Sequence, residues 1–473
     1  MPSSTIYWYD FETFGVDPRR ARAAQFAGVR TDENLNIIGE PLVIFCRPAP
    51  DFLPSPMASL ITGITPQQAS DNGLTEAEFI AQIHAEFSQP GTCVAGYNSI
   101  RFDDEVTRQL LYRNFYDPYE REWKNGNSRW DIIDMVRLCA ATRPLGIEWP
   151  KRVDSSISFR LEELTAANGI EHSQAHDALS DVYATIDMAK LIREHQPKLY
   201  DYAYKLRNKR QVQAAIDMST RKPVLHISGM YPAHQGCLAL VMPLCAHPTN
   251  NNGIVVYDLR HDPDTWMDLS ADEIRARLYT PNAELPEGQE RIPLKTIHTN
   301  KCPIVASASV LTESAERRAE IDMGECRANW DKLANNGELV AKLAEVFRQE
   351  PQFAETDPDY MIYSGGFFSD ADRSLMQTVR ATPAADLGRL DLPFRDGRLK
   401  EMLFRYRARN YPETLSSDEA SRWQEFRLGR LQDAEAQKLY DTELDEARER
   451  ADSTQQELLD KVEEYVAAIL QSG

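Results

Sequence analysis

The sequence has few cysteines, no long apolar run and no excess of positive charge. Its seven cysteines are an odd number among 473 residues, and no two of them have Cys-x-x-Cys spacing. Neither a disulfide framework nor a zinc site is therefore indicated. No apolar run approaches the ~20 residues that span a bilayer, and the first residues lack the basic and apolar segments of a signal peptide. We expect a cytoplasmic protein that does not enter a membrane.

The charge balance is acidic, with 53 Lys and Arg residues against 73 Asp and Glu residues and a formal net charge of -20. Such a balance favours solubility and argues against general attraction to nucleic acid, but it is compatible with a local basic groove. The chain is also too long for one hydrophobic core, so two or three domains are expected.

The pattern of apolar residues changes twice along the chain. Residues 1–200 begin with three strand-like runs and continue with alternating helices and strands, which predicts a mixed α/β sheet. Short apolar runs between Gly, Pro and Asn turns follow at about 223–310 and predict a small β-barrel. From about 312 helix-forming residues dominate, interrupted by a predicted linker at 350–359.

Two carboxylates lie near the end of the first strand-like run, in the stretch YDFETFG at residues 9–15. Residues two apart in a strand point to the same face, so Asp10 and Glu12 are expected side by side. Two like charges held together cost free energy unless a cation lies between them. Taken alone, the pair is more simply interpreted as solvated acids at a strand end.

Two further motifs follow in the same 200 residues. Asn98 and Asp103 belong to GYNSIRFDDE at 96–105, and His176 and Asp181 belong to AHDALSDVYAT at 175–185. Each has an ordinary interpretation, because acids at a helix start complement the helix dipole and most histidines of this kind lie at a surface. Their order and spacing make the combination more specific than its parts.

Asp-x-Glu, Asn-x-x-x-Phe-Asp and His-x-x-x-x-Asp in this order resemble the four-carboxylate exonuclease superfamily of the histidine type. The tyrosine type needs Tyr four residues before the last acid, where this chain has Asp177. Further stretches, among them LITGITPQ, YRNFYDPY and NKCPIVA, resemble the bacterial exonuclease I family. The resemblance is dense in the first 200 residues and weaker in the last third.

The resemblance implies an α/β fold in three domains. It predicts a ribonuclease-H-like exonuclease domain with a mixed sheet at 1–200, an SH3-like β-barrel domain at 201–350 and an α-helical domain at 351–473. The implied activity is processive 3′-to-5′ degradation of single-stranded DNA to 5′-mononucleotides, in DNA repair and recombination. Composition and spacing alone indicate only a nuclease that uses two metal ions.

The resemblance also assigns roles to the catalytic residues. Two Mg²⁺ ions, for which Mn²⁺ can substitute, are expected among four carboxylates, since hard cations prefer oxygen ligands. Asp10 is expected to bridge both ions, Glu12 and Asp181 to bind the ion that activates water, and Asp103 to act on the other side. His176 is expected to be the general base, a role that suits a near-neutral pKa.

Residues for the substrate follow from the same resemblance. Glu12 and the stretch Thr13, Phe14 and Gly15 are expected to line the pocket of the 3′-terminal nucleotide, with core packing as the alternative for Phe14. Arg160 is expected to contact substrate, or else to be a surface arginine, and Trp123 to meet a base. Cations mixed with aromatic residues make 204–211 and 395–411 candidate DNA tracks, with a solvated helix face as the alternative for the latter.

Members of the family bind the acidic, apolar C-terminal tip of the single-strand DNA-binding protein. Arg143, Tyr202 and Lys222 are the residues expected to bind that partner here, although the stretch 312–330, where other cations of the site should lie, resembles the family poorly. We expect a monomer.

Two other functions stay open at this point. An RNA 3′-end trimming exonuclease would keep the same chemistry, and only the treatment of the 2′-hydroxyl would distinguish it. The additional barrel and helical domains favour the DNA enzyme. A proofreading or adaptor module that works through partners is the third interpretation, and the complete set of four acids and one histidine argues against it.

Overall fold

The computed structural model describes residues 4–172, 176–348 and 355–471. The strands are β1 Thr5–Thr13, β2 Ala23–Asp32, β3 Leu42–Cys46, β4 Gly73–Leu74, β5 Thr92–Gly96, β6 Ser128–Asp131, β7 Val224–Ile227, β8 Leu238–Ala246, β9 Gly253–Asp258, β10 Leu294–His298 and β11 Ile304–Ser307. They form one sheet of six strands and one of five.

The α-helices are α1 Pro56–Thr62, α2 Pro66–Asn72, α3 Glu76–Phe87, α4 Asp103–Arg113, α5 Ile133–Thr142, α6 Leu161–Ala167, α7 Ala178–His195, α8 Pro197–Lys205, α9 Lys209–Ala215, α10 Ala271–Tyr279, α11 Glu313–Arg318, α12 Met323–Ala334, α13 Leu339–Val346, α14 Asp370–Ala381, α15 Arg398–Asn410, α16 Ser417–Leu431, α17 Ala434–Arg450 and α18 Ser453–Gln471. Three of the longest lie at the C-terminal end, as the helix-forming sequence there predicts.

The chain divides into two compact units. Unit 1 consists of Met1–Ser128, His172–Ile186 and Phe353–Gly473, and unit 2 of Arg129–Glu171 and Asp187–Gln352. The predicted boundary after residue 200 falls inside α8, and the boundary at 351, with the first half of the predicted linker, lies outside the described residues. The limits of the three domains therefore stay a prediction.

The larger sheet is mixed, as predicted. Its strand order is β4-β3-β2-β1-β5-β6, with β1 antiparallel to β2 and parallel to β5. The first three strands form the expected antiparallel meander. Strand β1 therefore lies in the interior of the sheet, between β2 and β5.

The alternation of side chains along β1 separates the core from the acids. Tyr7, Tyr9 and Phe11 are buried on one face, in an aromatic cluster with residues of α3 and α4. Asp10 and Glu12 alternate with them and therefore lie on the opposite face. The aromatic cluster fixes one face of the strand and leaves the other to the carboxylates.

The C-terminal helices share a hydrophobic core with the first part of unit 1. Tyr112 and Phe115, which lie at and just after the end of α4, pack with Leu399, Met402 and Tyr406 of α15. The backbone N–H of Ala77 in α3 also donates to Asn410 Oδ1 over 2.9 Å. The two parts consequently share a packed core.

The smaller sheet lies in unit 2 and is antiparallel throughout, with strand order β10-β9-β8-β7-β11. A register shift in β8 between Pro243 and Cys245 marks a bulge, where proline cannot donate to the ladder. Helices α10 and α13 pack against each other beside this sheet. The strands cover the range in which the sequence predicts a small β-rich domain.

Four of the six cations in the stretch 395–411 are buried, so its interpretation as a DNA track is wrong for them; Arg395 and Lys400 are exposed. The side chains of Arg398, Arg405, Arg407 and Arg409 are each at most 8% exposed. Each is paired with carboxylates: Asp396 for Arg398, Asp357, Asp359 and Glu401 for Arg405, Glu419 for Arg407, and Asp51 and Asp359 for Arg409. These arginines hold unit 1 together instead of facing a phosphate backbone.

Acid should also weaken the buried ion pairs of unit 1 at Glu76, whose carboxylate accepts hydrogen bonds from Arg113 and Asn114. Burial alone would raise the pKa of Glu76, but Arg113 and Arg22 lower it from 4.5 to about 2. A carboxylate with a lowered folded pKa stabilises the protein above its unfolded pKa, and that stabilisation disappears as the pH falls from 4.5 towards about 2. Glu76→Gln should cost ~3 kcal/mol at neutral pH, since it strips a buried ion pair of its anion.

The measurement is urea unfolding between pH 7 and pH 3, with the exposed Glu457→Gln as control. We expect the difference in unfolding free energy between wild type and Glu76→Gln to shrink as the pH falls. A difference that stays constant over this range would contradict the role assigned to the Glu76 carboxylate.

Candidate active site

Three carboxylates meet at the end of β1. Asp10 and Glu12 come from β1 and Asp181 from the first turn of α7, and each offers a ligand oxygen within 4.8 Å of the other two. Glu12 is buried, whereas Asp10 and Asp181 are partly buried. Asp10 and Glu12 lie side by side, as the period of two predicts, and Asp181 of α7 is the third member of the group. Together the three carboxylates can hold a divalent cation.

Asp103 joins this group from α4, of which it is the first residue. The pairing of β1 with β5 ends at Trp8 and Ala95, so the next part of β1 extends beyond its parallel neighbour. There the N–H of Phe11 donates to Asp103 Oδ1 over 3.2 Å. Asp103 is 4% exposed and lies outside the trio, but its charge acts on two of the trio's members.

The electrostatics of the trio are those of a cation site. Burial and the charges of Asp181 and Asp103 raise the pKa of Glu12 from 4.5 to about 9. Burial, followed by Asp103, Glu12 and Asp181, raises the pKa of Asp10 well above its ordinary value. Carboxylates that repel each other in this way need protons or metal ions to stay together. Their oxygens are the donors that hard divalent cations prefer, so the residues fit such an ion.

Two histidines lie beside Asp181, and the sequence motif identifies only one of them. His176 precedes α7 in the left-handed region (φ 68°), is exposed, and its backbone N–H donates to the Asp181 carboxylate. His172 was not expected: its Nε2 hydrogen-bonds Asp181 Oδ1. Nine residues separate this pair, which is not a helical spacing, so no periodic signal could have found it.

Residues 13–15, expected to line the nucleotide pocket, lie where β1 ends. The register of β1 with β2 shifts between Glu12 and Thr13, and Thr13 Oγ1 donates to the Gly15 carbonyl over 2.7 Å. Phe14 is 2% exposed and packs among Ala24, Ile64 and Ala69. Its ring therefore has the core environment named as the alternative, and stacking on a base would require the ring to leave that cluster.

The other residues expected to contact substrate are accessible. Trp123, in unit 1, follows a short 3-10 turn and is 64% exposed. Arg160, in unit 2, directly precedes α6, and its side chain is 67% exposed at 3.8 Å from Glu163. Both positions suit a ligand from solvent, and their contacts with DNA stay predictions.

The three residues expected to bind a partner surround one segment of unit 2. Tyr202 donates to the Val305 carbonyl over 2.7 Å, and Arg143 donates to the Val310 carbonyl over 3.1 Å. Lys222 lines a cavity of about 410 Å³. The other lining residues are Thr220, Pro223, Leu240, Ala308, Met323, Cys326, Arg327 and Trp330. Four of them belong to α12, inside the stretch 312–330 that the resemblance could not assign.

Fold and carboxylates together define an exonuclease with a mixed α/β nuclease domain. Family models match as an exonuclease at residues 7–189, the SH3-like domain of exonuclease I at 207–349 and the C-terminal domain of exonuclease I at 356–469. The chain belongs to the exonuclease I family of exodeoxyribonucleases. The predicted fold class, with its SH3-like and helical parts, is confirmed.

Individual relatives agree over almost the whole chain. Exodeoxyribonuclease I of Haemophilus influenzae is 49% identical over 90% of this chain and 91% of its own length. The structure of a moderately thermophilic exonuclease I from Methylocaldum szegediense is 50% identical, with a TM-score of 0.94, and covers 99% of this chain and 100% of that one. The zinc-bound complex of E. coli exonuclease I with single-stranded DNA is 45% identical with the same TM-score and coverage.

None of the helices in the described ranges has the length and apolar character needed to cross a bilayer.

Cation binding should release protons. Because the pKa of Glu12 is about 9 without a cation, its carboxyl is largely protonated at pH 7.5, and a bound cation must displace that proton. We expect the affinity for Mn²⁺ to rise between pH 6.5 and pH 8.5. Titration calorimetry in two buffers of different ionisation enthalpy at pH 7.5 measures the released protons. Glu12→Gln should release fewer, and equal release by both proteins would contradict the raised pKa of Glu12.

Proposed function

We propose that the chain is a 3′-to-5′ exonuclease that degrades single-stranded DNA processively to 5′-mononucleotides, with two Mg²⁺ ions as cofactor. The observation that carries this proposal is the carboxylate trio Asp10, Glu12 and Asp181, with Asp103 beside it. The E. coli relative, crystallised with single-stranded DNA and zinc, supports the substrate and the need for a divalent cation. Mg²⁺ is the proposed physiological ion because the donors are all carboxylate oxygens.

The proposed mechanism gives each residue a distinct task. When bound, two divalent cations neutralise charge on the phosphate and lower the pKa of the attacking water. Asp10, Glu12 and Asp181 hold these cations, and Asp103 assists from α4 while it fixes the β1 backbone through Phe11. The burial of Glu12 supports a strong interaction, because little water screens its charge.

His176 is the proposed general base. Its position just before α7, with an exposed side chain, gives water access to the imidazole ring. The neutral ring takes a proton from the attacking water, and the bond from phosphorus to the 3′-oxygen of the preceding nucleotide breaks. The released nucleotide then carries the phosphate at its 5′ position. Asp181 lies close enough to His176 to stabilise the imidazolium that forms.

The setting of this activity belongs to the same proposal. The proposed contacts along the DNA are residues 204–211, Arg160 and Trp123. The stretch 395–411 is not proposed as a DNA contact. The proposed protein is a monomer that acts in DNA repair and recombination. Its proposed location in the reducing cytoplasm is consistent with seven cysteines, all in the described ranges, that are buried and form no disulfide.

A second proposed interaction is with the C-terminal tip of the single-strand DNA-binding protein, an acidic and apolar peptide. The cavity beside Lys222 supports it, because apolar Met323 and Trp330 line the same space as the cations Lys222 and Arg327. The guanidinium of Arg327 lies 4.7 Å from the ring centroid of Trp330, so charge and apolar surface are adjacent. Arg143 and Tyr202 extend this surface along the segment that ends at Val310.

The nuclease proposal is tested by digestion of equal-length single-stranded DNA, single-stranded RNA and duplex DNA, each labelled at its 5′ end, with Mg²⁺. We expect ladders that shorten from the 3′ end on single-stranded DNA only. Asp181→Ala should remove nearly all activity, and His176→Ala should slow the chemical step by roughly 10²- to 10⁴-fold, the usual contribution of a general base.

Each other outcome changes the proposal in a defined way. Preferential trimming of RNA would move the assignment to an RNA 3′-end exonuclease. Digestion by Asp181→Ala at the wild-type rate would refute its role as a metal ligand, and an unchanged rate in His176→Ala would mean that another group accepts the proton. No cleavage with any metal would favour a partner-binding module.

The partner proposal predicts that a peptide ending in acidic and apolar residues binds the full chain, and that Lys222→Ala and Arg327→Ala each weaken binding about 10-fold. This is the effect of removing one charge-assisted contact. Fluorescence anisotropy of the labelled peptide measures it. Lys438→Ala, on the exposed face of α17, is the control. Equal affinities for all four proteins would place the peptide elsewhere.

A further inference from the structure

Residues 51–55, between β3 and α1, contact both the C-terminal helices and the end of β1. We call this segment the bridging loop. On one side lie α15, α16 and α17, which belong to the C-terminal part of unit 1. On the other side lies Phe14, two residues after Glu12 in the chain. The loop is therefore a physical connection between those helices and the carboxylate site.

Two side chains of the bridging loop bind the C-terminal helices. Asp51 Oδ2 accepts from Arg409 Nη2 and from Arg430 Nη1, each over 2.8 Å, and the Asp51 side chain is fully buried. Ser55 Oγ donates to the carboxylate of Glu443. Charged hydrogen bonds in a dry environment are strong and depend on direction, so those of Asp51 fix the loop relative to α15 and α16, and the bond of Ser55 adds a partly exposed contact with α17.

The opposite side of the loop holds Phe14. The N–H of Ser55 donates to the Phe14 carbonyl over 3.0 Å, and the rings of Phe14 and Phe52 lie 6.3 Å apart. The N–H of Phe14 donates to the carbonyl of Arg22 over 2.8 Å. The Arg22 guanidinium in turn lies 3.5 Å from Asp51 Oδ2. Both backbone groups of Phe14 thus depend on the loop or on a residue that binds it.

The irregularity of β1 makes these bonds important. The register of the β1–β2 ladder shifts between Glu12 and Thr13, so regular pairing alone does not fix the backbone beyond Glu12. The bridging loop supplies a backbone hydrogen bond at Phe14, two residues after Glu12. A displacement of the loop would be passed to Thr13–Gly15 and to the strand end that carries Glu12.

We propose that the bridging loop positions residues 13–15 and the adjoining end of β1 for catalysis, and that Asp51 is the positioning residue through which the C-terminal helices act on the site. The inference rests on the proposed nuclease function. It gives Arg409 of α15 and Arg430 of α16 a role in the reaction that they exert through Asp51.

The test compares Asp51→Asn and Glu443→Ala with wild type. Asp51→Asn keeps the shape of the side chain and removes its charge. Glu443→Ala removes the acceptor of Ser55 at a partly exposed position and serves if Asp51→Asn does not fold. The control is Glu446→Ala on the same helix, whose carboxylate only reaches Arg450 over 3.9 Å at the surface. Circular dichroism establishes the folded fraction of each protein.

Two readouts separate positioning from stability. One is kcat and KM on a 5′-phosphorylated thymidine dinucleotide, and the other is hydrogen exchange of peptides that cover residues 11–22. We expect kcat to fall about 10-fold and KM to rise about 3-fold in Asp51→Asn, with a smaller effect in the same direction in Glu443→Ala, because small misplacements of reacting groups are costly. Exchange at 11–22 should accelerate in both variants and not in Glu446→Ala.

The remaining outcomes overturn the proposal. A folded Asp51→Asn or Glu443→Ala with wild-type kinetics and exchange would show that the loop does not position the strand end. A lower kcat with unchanged KM and uniformly faster exchange would show a loss of folded protein only. A wild-type chain inactive on every DNA would refute the nuclease function instead, and local exchange at 11–22 would still decide whether the loop holds Phe14.

Discussion

The constraint on which this structure depends is the mutual repulsion of Asp10, Glu12 and Asp181, whose oxygens are held within 4.8 Å. A flexible backbone would let them separate, so the site requires stiff support. Strand β2, to which β1 is paired along its whole length, provides part of it, and the aromatic cluster behind the strand provides more. Free energy gained elsewhere in the fold is thus used to hold together acids that repel each other when ionised, until cations replace their protons.

A second electrostatic system, of opposite character, lies inside the same unit. There Arg22, Arg113, Arg409 and Arg430 meet the anions of Asp51 and other buried carboxylates, and the pKa of Glu76 is lowered where that of Glu12 is raised. The contrast follows from the partners, because burial is common to both carboxylates. The buried acids at the end of β1, which lack arginine partners, form the candidate cation site, whereas the buried acids paired with arginines stabilise the fold.

The mixed sheet could be predicted from the pattern of apolar residues, and the pairing of Asp10 with Glu12 from the two-residue period of a strand. Asp103 and Asp181 have no such local signal and are predicted only through the resemblance to a known family. The prediction of a DNA track at 395–411 was wrong, because the arginines there have the sequence pattern of an exposed basic helix face. Their partners Asp51, Asp357 and Asp359 are up to 358 residues away, and nothing local distinguishes a guanidinium that faces solvent from one that faces a distant acid. His172 could not be predicted for a similar reason, since its contact with Asp181 corresponds to neither a helical nor a strand spacing.

The shared core of the first and last parts of unit 1 bears on how such a chain could have evolved. A fragment that stopped before the C-terminal helices would leave the N–H of Ala77 without its acceptor and the Asp51 anion with Arg22 as its remaining cationic partner. The apolar surface that now packs on α15 would become exposed on the same side. Separated from these helices without other changes, the nuclease part would therefore carry an exposed apolar face and a weakened buried ion pair.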